Sequence, residues 1–140
     1  MRDNNWLADR LHFIHQTHFA DIAIENQILV RFGRKSRTRF GSIIAKPKAG
    51  FTKPVTFITI NSLFKDEVVP EFVIDATLGH EFSHYTHGFH SPRTQLYKYP
   101  HQGDVVNKEM RKRGMGEVLE LQEEWAKRHY PAFLRSNNLL

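Results

Sequence analysis

Residues 76–92 read ATLGHEFSHYTHGFHSP, and the order His-Glu-x-x-His within them has chemical meaning only on a helix. Residues four apart lie one turn apart on the same helical face. His80 and His84 can therefore offer two nitrogens to one tetrahedral zinc. Glu81 stands beside that position, where it can take a proton from zinc-bound water and pass it to a leaving amine. Zinc brings the pKa of such a water to about 7. The bland alternative is a pair of histidines on a solvated helix.

The chain has 140 residues and no cysteine. Its length suits one domain with a core of its own. Without thiolates, disulfides and Cys-type zinc sites are excluded, and a metal must be held by His and carboxylates. No apolar run approaches a membrane span. The N-terminal residues lack a secretory apolar region. An intracellular location, cytoplasmic or in a nucleoid or nucleus, is expected. Net charge is +5, and no acidic residue falls between Glu25 and Asp66, where nine Lys and Arg do. Arg31, Arg34, Lys35, Arg37 and Arg39 form the densest part of this window. An anionic partner such as DNA, bound without sequence selectivity through residues 31–53, is one reading. A solvated turn between strands is the other. Trp6, Phe32 and Phe40 could stack on bases, or belong to the core.

Residues 4–18 have a helical stripe in Trp6, Leu7, Leu11 and Ile14. Residues 27–32, 39–46 and 55–60 read as strands, rich in branched apolar residues. Pro70 suits a first helical position. Phe72, Val73, Ala76 and Thr77 continue the face of His80 and His84, and Gly88 suits a stop. Residues 89–103 read as loop. Asp104 can cap a last helical region, interrupted at Gly114 and Gly116, with Val118, Leu121 and Trp125 as its apolar stripe. The segregated order predicts an α+β single domain, residues 1–140.

A catalytic zinc takes a third protein ligand and keeps one open position. His87, His90, His101 and Glu109 are the candidates, and spacing alone does not separate His90 from His101. Asp75 could orient a ligand imidazole, or be a surface carboxylate. His12, His15 and His18 could form a second site, or a half-exposed row. Tyr97 or Tyr99 could donate to an oxyanion, or serve packing.

The segment ITINSLFKDEVVPEFVIDATLGHEFSHYTHG resembles the SprT-like zinc metallopeptidases, which include the Spartan proteases. Thr77, Leu78, His80, Glu81 and His84 stand at the positions of that family's "TLLHELxH". ILVRFGRKSRTRFGSI is similar to its basic strand-turn-strand. PHQGDVVNKEM is similar to its "HGxxFxxxM" segment, with Gln102 intruding and Val105 or Val106 in place of an aromatic. The resemblance covers roughly residues 10–115. It implies a small zincin-like domain: an N-terminal helix, a three-stranded mainly antiparallel sheet, an active-site helix and C-terminal helices. It implies Zn²⁺ on His80, His84 and His101, with Glu81 as general base. It also implies a metallopeptidase acting on proteins, often DNA-bound or DNA-crosslinked, with DNA as activator. A related group of small zincins has its third His in an "NHS" turn, which FHSP resembles through His90. The family's cysteine-rich zinc ribbon has no counterpart in these residues. The 55–60 strand, as a sheet edge, would hold the substrate extended. The competing function is a nucleic-acid-binding module with structural zinc. A third is a metallohydrolase acting on something other than peptides.

Overall fold

Three apolar segments become strands because their side chains alternate between a core and a more open face. In the computed structural model, which describes residues 1–139, they are β1 (Ile28–Phe32), β2 (Gly41–Lys46) and β3 (Val55–Ile60). The sheet order is β1-β3-β2. β3 runs parallel to β1 and antiparallel to β2. The sheet is therefore mixed, not mainly antiparallel, and Val55–Ile60 is its centre, not an edge. The physical reason lies in β3 itself: Val55, Ile58 and Ile60 are completely buried, and burial on that scale needs a neighbour on each side. The edges are β1 and β2.

Five helices accompany the sheet: α1 (Asn4–His18), α2 (Glu71–Thr86), α3 (Val105–Lys112), α4 (Gly116–Arg128) and α5 (Tyr130–Ser136). The domain is α+β. The side chain of Asp3 caps α1 by accepting from the Trp6 amide, and Leu7, Leu11 and Ile14 face the core. Pro70 is the cap of α2, not its first residue. α2 lies in the middle of the molecule: Val73, Ile74, Ala76, Leu78, Phe82 and Tyr85 are buried all around it. Such a helix shows little amphipathic pattern because every side meets protein. In α4 the buried residues are Leu119 and Trp125, whereas Leu121 is exposed. Of the expected stripe, Trp125 is buried and Val118 packs against the core; only Leu121 points out, with Leu119 buried instead. Asp104 precedes α3 in the left-handed region and makes no side-chain cap to the helix; its carboxylate accepts from the Asn107 side chain.

Two glycines set how α2 meets its surroundings. A Cβ on Gly41 would lie 2.6 Å from Thr77 Cγ2 and 3.2 Å from the Thr59 carbonyl oxygen, so β2 can pack against α2 only as glycine there. Gly88 ends α2 in a Schellman motif. The Phe89 amide donates to the His84 carbonyl and the Gly88 amide to the Tyr85 carbonyl, with Gly88 at φ +84°. A Cβ there would stand 2.3 Å from the Thr94 carbonyl oxygen. Gly88→Ala is expected to cost about 3 kcal/mol, combining left-handed strain with that clash. A denaturant midpoint unchanged from wild type would contradict this role.

Candidate metal centre

His80 and His84 project from one face of α2, and His101 reaches them from the loop before α3. The three Nε2 atoms form a near-equilateral triangle, 3.2 Å between His80 and His84, 3.1 Å between His84 and His101, and 3.3 Å between His80 and His101. Corners of a tetrahedron around an ion with metal–nitrogen bonds of 2.0–2.1 Å lie about 3.3–3.4 Å apart. Three imidazole nitrogens converging at that spacing can hold a metal ion. Burial and the neighbouring His101 push the pKa of His80 down to about 4; burial and the surrounding histidines push that of His84 down to about 3. Both are neutral at pH 7, the state a metal ligand requires. His84 is buried with Nδ1 unpartnered among the described residues, so its ring is set by packing, edge-on against Phe89.

Local chain geometry delivers His101. After the Gly88 turn, Ser91 Oγ donates to the Tyr85 carbonyl, Arg93 Nε to the Thr86 carbonyl and the Leu96 amide to the His87 carbonyl. These tie the returning loop to the end of α2. Gln102 Oε1 then accepts from the Tyr99 amide, tightening the turn around His101. Val106 and Met110 are buried and anchor the following helix.

Glu81 is 4% exposed, and its Oε2 has no hydrogen-bond partner among the described residues. Burial raises its pKa to about 7, with Arg39 opposing the rise. Glu81 and His80 line a cleft of about 350 Å³ together with Arg39, Phe40, Gly41 and Gln122. Gln122, from α4, donates to Thr77 Oγ1 and to the Val73 carbonyl and so fixes that wall. Nothing in the sequence marks a lone helical glutamine for this position. Arg39 carried a signal only as one cation in a basic run.

The other sequence candidates lie elsewhere. His90 adopts φ +58°, and its Nδ1 accepts from the Ala45 amide at 3.4 Å. His87 is fully buried and donates Nε2–H to Glu109 at 2.9 Å, so neither joins the histidine triangle. Asp75 holds Arg10 at 3.0 and 2.6 Å, joining α1 to α2 rather than orienting an imidazole. His15 and His18 donate to the Ile22 and Arg113 carbonyls. They do not form a metal cluster with His12 among the described residues. Tyr97 packs edge-on against His87, and Tyr99 is exposed. Phe40 is packed against Phe64 and Tyr130, and Trp6 and Phe32 are half-buried against the core.

Glu109 also accepts from Arg113, which in turn grips Asp21 and the His18 carbonyl. This network joins α1, α2 and α3 behind the histidines, and no periodicity in the sequence announced it. Burial alone would raise the Glu109 pKa; hydrogen bonds from His87 and Arg113 outweigh it and hold the carboxyl below its ordinary 4.5. The Arg113 hydrogen bond likewise lowers Asp21. A depressed folded pKa stabilises above the unfolded value and loses that contribution as pH falls through the folded one. The contribution of Glu109 and Asp21 to stability should therefore be complete from neutral pH to about 4.5 and be lost below it. Glu109→Gln should lower the neutral plateau and flatten the acid slope; an unchanged slope in urea titrations would rule this out.

The five residues of the densest basic run fall in two places. Arg31 lies on β1 with its guanidinium 4.6 Å from the Phe57 ring. Arg34, Lys35, Arg37 and Arg39 are exposed on the 33–40 loop, and none of the five is in an ion pair among the described residues. The loop backbone is fixed. Asn61, buried, donates to the Ser36 and Arg39 carbonyls and accepts from the Ser36 amide, while Tyr130 donates to the Ser36 and Arg37 carbonyls.

No helix is long and apolar enough to cross a membrane among the described residues. Comparison with models of protein families, with curated proteins and with solved structures finds no match to this chain. Fold and site together define an α+β domain with a three-histidine candidate metal centre and beside it a buried glutamate whose Oε2 has no hydrogen-bond partner among the described residues.

Proposed function

We propose that this chain is a zinc-dependent endopeptidase of the SprT-like, zincin type. The observation that carries the reading is the convergence of three imidazole nitrogens beside Glu81, with His80 and Glu81 both lining one open cleft. His80, His84 and His101 would hold the zinc, which when bound would supply Lewis acidity and lower the pKa of a water toward neutrality. Glu81 Oε2, without a hydrogen-bond partner among the described residues and with its pKa raised by burial to about 7, would take a proton from water and hand it to a leaving amine.

The edge of β2 holds the substrate. The Thr56 amide and the Ile60 carbonyl both bond on the β1 side, to Gln27 and Gly33. Their β2 partners, Ala45 and Gly41, therefore turn their polar groups away from β3, as Ile43 does between them. Ala45 is met by His90. Gly41 and Ile43 remain to pair with an extended peptide, and Gly41 itself lines the cleft.

The test is cleavage of an unstructured protein by the zinc-loaded chain, with chelation abolishing it. A zinc-loaded chain that cuts no polypeptide would overturn the reading.

A second reading, binding of DNA with structural zinc, is favoured by the uncompensated cations of the 31–53 window. Phosphate contacts would give steeply salt-dependent, sequence-independent affinity. Zinc removal that unfolds the domain, without any proteolysis at any condition, would favour it.

A further inference from the structure

A second cavity of about 460 Å³ adjoins the cleft and shares Thr38, Arg39 and Gly41 with it. Arg34, Lys35, Arg39, Ser42, Thr59 and Asn61 line it, and no acidic residue does. Three cations converge there on a loop whose backbone Asn61 and Tyr130 hold in place. A positive concavity on a fixed backbone is arranged in advance for a compact anion.

Sheet geometry says which anion reaches it. Gly41 directs its Cβ position at Thr77 of α2, so Gly41, Ile43 and Ala45 face the helix and Ser42 faces away. Thr59, directly opposite Ser42, shares its face. Residues opposite one another in an antiparallel pair put their side chains on the same face. A peptide laid antiparallel along β2 thus aims the residue opposite Ser42 into the cationic cavity. Its neighbour, opposite Gly41, faces the helix side.

We infer that this cavity is a specificity subsite for an acidic side chain, Asp or Glu, of a polypeptide bound along β2. The inference rests on the peptidase reading for its substrate strand, but its anion preference is measured without catalysis.

The experiment measures calorimetric binding of paired extended peptides, identical but for one Glu or Gln, to the full zinc-loaded Glu81→Gln chain at low salt. It is repeated with the Arg34→Gln/Lys35→Gln variant, whose fold is checked by circular dichroism. The expected result is about tenfold tighter binding of the Glu peptide, weakening as salt rises, with the preference collapsing in the variant. Cleavage products of a mixed peptide pool should then carry Asp or Glu at one fixed distance from the cut. Equal affinity for the two peptides overturns the subsite, even if both are cut by wild type and not by Glu81→Gln. An acidic preference that persists undiminished in the double variant overturns it too. An oligonucleotide that displaces the Glu peptide and binds more tightly at equal charge overturns it in favour of phosphate. A tenfold preference with no cleavage upholds the acidic subsite and removes the peptidase reading alone.

Discussion

Glu81→Gln should leave metal content at the wild-type level while lowering peptide hydrolysis about a hundredfold to ten-thousandfold, the range for removing a general base. The substitution changes one oxygen to an amide and keeps shape, so packing around a residue only 4% exposed is preserved. Stability should hold or rise slightly. The native carboxylate is buried with Oε2 unpartnered, and burying a charge without partners is costly. That combination, a more stable and inactive protein, separates a proton-handling group from a structural one. Parallel measurement of zinc per chain, thermal midpoint and turnover decides it. Undiminished turnover would sink the mechanism, and loss of metal would show that Glu81 belongs to the histidine set instead.

His101→Ala should reduce metal affinity more than a hundredfold, beyond the roughly 10–100-fold that loss of an outer partner costs. His101 is exposed and lies on a loop, so its replacement removes a donor without opening the core. His84 offers a less clean test because it is buried in α2. The control is His90→Asn, since asparagine tolerates the left-handed backbone that His90 adopts. It should keep metal at full stoichiometry. Zinc retained in His101→Ala and lost in His90→Asn would reverse the assignment and place the centre on the other side of the loop.

α2 was legible from sequence because its evidence is local. The His-Glu-x-x-His order, the proline before it and the glycine after it all lie within one helix and its flanks. The three strands were legible as segments for the same reason. Strand order was not. β1 and β3 are joined side by side only through the tertiary fold, with β2 passing to the far edge, and their apolar composition is alike. The third histidine lies at the end of a loop whose path depends on Arg93, Ser91 and Gln102, three ordinary polar residues. Spacing could name His90 and His101 but not choose. Arg39 and Gln122 reach the cleft from elements remote in sequence, and long-range convergence leaves no local trace.

The loop between His84 and His101 also bears on how the chain stays folded. It spans 17 residues and is shut at its base by the histidine triangle. An ion shared by both ends would be a cross-link in a chain that has no cysteine to make one. Closing a loop of about 15 residues removes on the order of 3 kcal/mol of chain entropy from the unfolded ensemble. The candidate chemical centre would then also be a clasp on the unfolded chain, closing a loop that the Ser91, Arg93 and Leu96 hydrogen bonds already hold in the folded one.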